Sequence, residues 1–120
     1  MSNPRILLVD DDTQFLEATE YMLKYENYEV VTAKNGEEAI KKYKESSPDI
    51  VLMDLKMPVM NGYDAFFKIK KDDPDAKIVF TSSYAINNEE FGKAKDSGLF
   101  GLLTKPFDLS ELNDIINSKD

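Results

Sequence analysis

Short apolar runs alternate along this chain with longer stretches whose apolar residues recur at helical spacing. Residues 5–9 read RILLV and run into three aspartates. A continuous apolar run closed by turn residues predicts a strand buried on both faces. Over 13–26, Phe15, Leu16, Thr19, Met22 and Leu23 fall on one helix face. Residues 28–33 (YEVVTA) predict a second strand, whose partial alternation suits a sheet edge. Asn35-Gly36 makes a turn, and a helix follows to about residue 46. Its inner stripe is Gly36, Ala39, Ile40 and Tyr43, with Lys41, Lys42, Lys44 and Glu45 outward and Pro48 as its stop.

The third strand is the apolar run 50–53, which ends on Asp54 and meets Met57-Pro58 and Asn61-Gly62 just beyond. Asn61-Gly62 opens a third helix with Tyr63, Phe66, Phe67 and Ile69 on or near its inner face, and Asp72, Asp73 and Pro74 close it. Residues 77–80 predict a fourth strand running into Thr81-Ser82-Ser83. A fourth helix is expected over 87–97, with Asn87 and Glu90 at capping-box spacing and Gly98 as the C-terminal cap. Gly92 in its middle weakens it by ~1 kcal/mol relative to Ala. Residues 99–104 predict a fifth strand, followed by Lys105-Pro106. Asp108-x-x-Glu111 then starts a last helix carrying Leu109, Leu112 and Ile116.

Regular alternation of strand and helix predicts an α/β fold, a parallel sheet with helices on both faces. The 120 residues suffice for one core, and the expectation is a single domain over 1–120 with no output domain. The composition, 42% hydrophobic and 32% charged, suits a soluble globular chain. No apolar run approaches the ~20 residues of a membrane span, and the N-terminus lacks the pattern of a signal peptide.

Two absences narrow the chemistry. Without cysteine there is no disulfide or thiol chemistry, which fits a cytoplasmic setting. Without histidine there is no Ser-His-Asp triad, no His-ligated zinc and no histidine base. Fifteen basic against 23 acidic residues give a net charge of −8, so the overall field disfavours nucleic acid and favours cations or basic protein surfaces.

The remaining polar groups converge. A carboxylate buried at the end of a strand needs a counter-charge, a metal or a chemical task, because burying it alone costs several kcal/mol or raises its pKa. Asp54 is such a group, although an Asp can also simply cap a turn. In a parallel sheet the carboxyl ends of all strands share one edge, where ligands bind. Asp10 and Asp11, Asp54, Ser82 and Lys105 all fall there. Each has a plain alternative: a helix start for Asp10, Asp11 and Asp12, a turn residue for Ser82, a surface lysine for Lys105. Together they are a coherent set. Three carboxylates without histidine favour a hard cation, Mg²⁺ before Zn²⁺. A hydroxyl and an ammonium beside a metal are the donors a phosphoryl group needs.

The motifs ILLVDDD at 6–12, DIVLMDLKMPVMNG at 49–62, IVFTSS at 78–83 and LLTKPF at 102–107 are those of a known family. The chain resembles, over nearly its whole length, the receiver domain of two-component response regulators, of the stand-alone type. The resemblance implies a flavodoxin-like, doubly wound sheet with strand order 2-1-3-4-5. It implies that Asp54 accepts a phosphoryl group from a histidine kinase or phosphotransfer protein. Asp11, Asp54 and the backbone carbonyl of Lys56 would bind Mg²⁺ directly, and Asp10 through water. Lys105 would bind a phosphoryl oxygen, Ser82 would move toward the phosphoryl group, and Ser83 would keep access narrow. The Lys105-Pro106 bond is expected to be cis. A downstream target protein would read the surface of the fourth helix, fifth strand and last helix. The family's usual aromatic switch position is Leu102 here, so recognition is expected to weigh on the segment from Tyr84 to Phe91. No direct contact with nucleic acid and none with a membrane is expected. Three other readings remain: a small Mg²⁺-dependent phosphatase or phosphotransferase, a phosphate sink in a relay, and an inert scaffold that has lost the chemistry. The first usually has an acid two residues beyond the nucleophile, where this chain has Lys56. An inert scaffold would lack a site residue, and none is missing.

Overall fold

Each apolar run forms a strand of one parallel sheet in the computed structural model, which describes residues 3–83 and 88–118. In chain order the elements are β1 (Arg5–Val9), α1 (Thr13–Tyr25), β2 (Glu29–Ala33), α2 (Gly36–Ser46), β3 (Ile50–Asp54), α3 (Gly62–Asp72), β4 (Ile78–Ser82), α4 (Glu89–Asp96), β5 (Gly101–Thr104) and α5 (Leu109–Ile116). The strand order is β2-β1-β3-β4-β5, the doubly wound order expected, with β2 at an edge. β3 lies between β1 and β4, and all five of its residues are buried.

Side chains of successive strand residues point to opposite faces, and the core divides accordingly. Leu7, Val9, Val51, Met53, Ile78 and Phe80 pack with Ala39, Ala65, Phe66, Ile69 and Ala94, under α2, α3 and α4. Ile6, Leu8, Ile50, Leu52, Val79 and Leu103 pack with Leu16, Leu23 and Leu112, under α1 and α5. Among the described residues no helix is long and apolar enough to cross a membrane.

Several boundaries depart from the sequence pattern for local reasons. β4 continues through Ser82 because Asp54 pairs with Thr81 and Ser82 with Thr104, so two polar residues stay in the ladder. β5 begins at Gly101 rather than residue 99, because Leu99 N–H is spent on the Ala94 carbonyl at the end of α4. Gly98 there has φ +96, as a C-terminal cap requires. The expected Asn87/Glu90 box is corrected: the cap of α4 is Asn88, whose Oδ1 accepts from Phe91 N at 2.8 Å and from the Tyr63 hydroxyl at 3.4 Å. Asn87 and Tyr84 lie outside the described residues. Lys42 is half-buried rather than outward, with Nζ donating to the Thr32 carbonyl at 3.1 Å. The Asp108/Glu111 box is present as expected.

Two glycines make opposite predictions. At Gly62 an added Cβ would lie 2.4 Å from the Asp54 carbonyl oxygen and 2.9 Å from Leu55 Cα. Helix α3 thus starts directly against the backbone that carries Asp54, and Gly62→Ala is expected to cost about 3 kcal/mol. At Gly92, mid-helix, a Cβ meets nothing within 4 Å, so Gly92→Ala should stabilise by ~0.5–1 kcal/mol. Urea unfolding of both variants checks the contrast.

Candidate functional site

The aspartate triplet after β1 is not one feature but three. Asp12 caps α1, with Oδ1 accepting from Gln14 N at 3.0 Å and Phe15 N at 3.1 Å. The helix-start reading therefore holds for Asp12 alone. Asp10 points inward and is 1% exposed. Its Oδ1 accepts from Asp12 N at 2.9 Å, and its Oδ2 accepts from Lys105 Nζ at 2.5 Å. Asp11 is exposed at the edge of a small cleft.

Asp54 ends β3 and is buried. Its neighbour Leu55 donates its backbone N–H to Thr81 O at 3.3 Å, and Gly62 N–H returns to Leu55 O at 3.0 Å. The strand end is thereby fixed between β4 and the start of α3. Lys105 Nζ stands 3.7 Å from Asp54 Oδ1 and 4.3 Å from the centre of the Phe15 ring. Lys105 N–H donates to the Ser82 carbonyl at 2.7 Å, and the Lys105-Pro106 bond is cis as expected. Ser82 is buried and Ser83 exposed.

Asp11, Asp12, Asp54, Lys56, Ser82, Ser83 and Lys105 line a cleft of about 200 Å³. A wider hollow of about 360 Å³, lined by Lys44, Lys68 and Lys71 with Glu37, Asp72, Ile40 and Met60, has no such cluster of carboxylates. Chemistry, not size, selects the smaller one. All the residues predicted at the carboxyl edge meet there except Asp10, which sits just beneath as the partner of Lys105.

Carboxylate oxygens of Asp10, Asp11 and Asp54 lie within 4.8 Å of one another. Three hard oxygen donors with no nitrogen or sulfur fit a hard divalent cation such as Mg²⁺. Burial raises the Asp54 carboxyl from its ordinary 3.8 to about 6; the Asp10 and Asp11 charges add to the rise, and Lys105 and the Leu55 N–H oppose it. Three carboxylates this close repel one another, and a divalent cation held between them would relieve that repulsion.

Two contacts were not evident in the sequence. The Asp10–Lys105 pair joins residues 95 positions apart. Phe15, expected only as part of the apolar stripe of α1, also underlies the ammonium. Of the expected output positions, Phe91 and Leu102 are half-buried and packed against the core under α4.

Comparison with known proteins agrees with this architecture. The family model for the response regulator receiver domain matches residues 6–117. The chain is 40% identical over 114 residues to the chemotaxis protein CheY of Thermotoga maritima, covering 94% of each. A CheY-like receiver domain protein from Methanospirillum hungatei superposes with TM-score 0.88 at 32% identity, covering 96% of this chain and 91% of that one. The response regulator TrrA of T. maritima, solved in complex with Mg(2+)-BeF, superposes with TM-score 0.80 at 33% identity over 95% of each chain. Fold, motifs and relatives agree: the chain belongs to the family of response regulator receiver domains.

Proposed function

We propose that Asp54 is the phosphoacceptor of a two-component relay. Its carboxylate attacks the phosphorus of a phosphohistidine on a histidine kinase or phosphotransfer protein. The P–N bond breaks, the imidazole leaves with its electron pair and takes up a proton, and Asp54 becomes an acyl phosphate. The observation that carries this reading is the cleft that joins Asp54 to Asp11, Ser82 and Lys105, with the Asp10 carboxylate just beneath.

Each group has a task. Lys105 holds a cation beside Asp54 and takes a phosphoryl oxygen as charge accumulates. Ser82, at the end of β4, donates to the phosphoryl group, and Ser83 at the rim keeps access narrow. Asp11, Asp54 and the backbone carbonyl of Lys56 would hold Mg²⁺, with Asp10 holding it through water. Bound there, Mg²⁺ offsets the repulsion between an attacking carboxylate and an anionic phosphoryl group. The Mg(2+)-BeF complex of TrrA supports this assignment by similarity. The domain signals rather than turning over an external substrate, in a cytoplasmic setting. Its partner surface is α4, β5 and α5, weighted toward the segment from Tyr84 to Phe91.

Incubation with acetyl phosphate and Mg²⁺ should add one phosphoryl mass to the intact protein, and alkali should remove it. A protein that takes up no phosphoryl group, or takes it up in an alkali-stable form, excludes an acyl phosphate. Mg²⁺ alone should raise the thermal midpoint, because it binds only the folded site. Asp11→Ala should remove most of that rise by deleting a direct ligand. An unchanged Mg²⁺ response in Asp11→Ala would show that this aspartate is no ligand.

A further inference from the structure

We propose that Phe15 is a positioning residue, whose ring face seats the Lys105 ammonium beside Asp54. Among the described residues three groups stand against that ammonium: Asp10 Oδ2 at 2.5 Å, Asp54 Oδ1 at 3.7 Å and the Phe15 ring centre at 4.3 Å. The Lys105 side chain is only 16% exposed, so the ring's negative face acts where water screens it little. A leucine at residue 15 would satisfy the apolar stripe of α1 equally well. The aromatic ring supplies what leucine cannot, a face that attracts a cation.

The seat is braced from two sides. The Phe15 backbone N–H is tied to the Asp12 carboxylate at 3.1 Å, which holds the start of α1 against the loop that carries Asp10 and Asp11. The Phe107 ring meets it edge-on, with centres 5.9 Å apart and planes at 84°. Phe107 follows Lys105-Pro106, so the loop that bears the ammonium also holds its seat.

The arrangement has a consequence for the site, which rests on the phosphoacceptor role proposed above. Asp10 and Asp54 are each wanted by two cations, the ammonium and the divalent ion. When a divalent ion draws on those carboxylates, the hold of Lys105 on them weakens. The ring has no such competitor. It keeps the ammonium within reach of Asp54 while the carboxylates are engaged, ready for a phosphoryl oxygen.

The test replaces the Phe15 ring with its pentafluoro form, which keeps the ring's shape and removes the attraction of its face. Phe15→Leu and Phe15→Trp complete the series. The first readout is the ¹⁵N resonance and water-exchange rate of the Lys105 ammonium in metal-free protein, assigned by its loss in Lys105→Arg. The second is the rate of phosphoryl uptake from acetyl phosphate with saturating Mg²⁺. We expect the fluorinated ring and Phe15→Leu to shift the resonance, speed exchange and slow uptake about 3- to 30-fold, with Phe15→Trp near the parent. A resonance and an uptake rate in the fluorinated protein equal to the parent's would overturn the proposal, whatever Phe15→Leu does, since only packing would then matter. If the parent takes up no phosphoryl group, the phosphoacceptor role falls. The ammonium readout still decides the seat, because it needs neither metal nor phosphate.

Discussion

Asp54→Asn is expected to stabilise the metal-free protein by as much as about 3 kcal/mol at pH 7. Burial and the Asp10 charge raise the Asp54 carboxyl from 3.8 to about 6 in the folded protein. A group whose folded pKa is raised favours folding while it is protonated. That contribution is whole below 3.8 and is lost as pH rises through about 6. Above that window the folded protein carries a buried charge that the unfolded chain holds in water. Asparagine keeps the side-chain volume and cannot ionise, so it avoids the penalty. Lys105 is not stranded by the change, because Asp10 still binds it at 2.5 Å. The stability difference between variant and parent should therefore be small near pH 3.5, grow up to about pH 6.5 and then level off. Urea unfolding in chelator across that range measures it. Mg²⁺ should shrink the difference at pH 7, because it stabilises the parent alone. A difference independent of pH would mean that Asp54 is not strained by its surroundings.

Lys105→Met should act in the opposite direction and more strongly. It leaves Asp10, 1% exposed, and Asp54, 8% exposed, without their shared cation. Removing one partner of a buried ion pair costs about 3–5 kcal/mol, because the other charge remains buried. Mg²⁺ should return part of that loss by supplying charge to the same carboxylates. Adding Asp10→Asn should return most of the rest, because the most deeply buried acid is then neutral. The double-mutant cycle in chelator is the measurement. Strictly additive effects of Lys105→Met and Asp10→Asn would show that the pair contributes nothing.

The sheet was legible because β1, β3 and β4 are buried almost throughout, so ILLV, IVLM and IVF stand out as unbroken apolar runs. The order of the strands came from the resemblance, since alternation alone says only that they are parallel. The edge position of β2 showed in its partial alternation, which its mixed burial matches. The start of α4 did not, because adjacent asparagines both qualify as caps by residue type, and only the fold shows Asn88 accepting from Phe91 N and from the Tyr63 hydroxyl. The converging residues were legible by type and by place, as polar groups at strand ends. Their division of labour was not. Nothing local says that of three successive aspartates one caps a helix, one faces the cleft and one holds a lysine from the far end of the chain. Phe15 looked like one more apolar position in a stripe, and only the fold sets its ring under an ammonium.

The phosphoryl group is expected on one carboxylate, Asp54. Borohydride reduces an aspartyl phosphate to homoserine, which marks the acceptor permanently. After incubation with acetyl phosphate and Mg²⁺, reduction and peptide mapping by mass should find homoserine in place of Asp54 and nowhere else. Homoserine at Asp10 or Asp11, or a phosphoryl group that resists reduction on a serine, would contradict it.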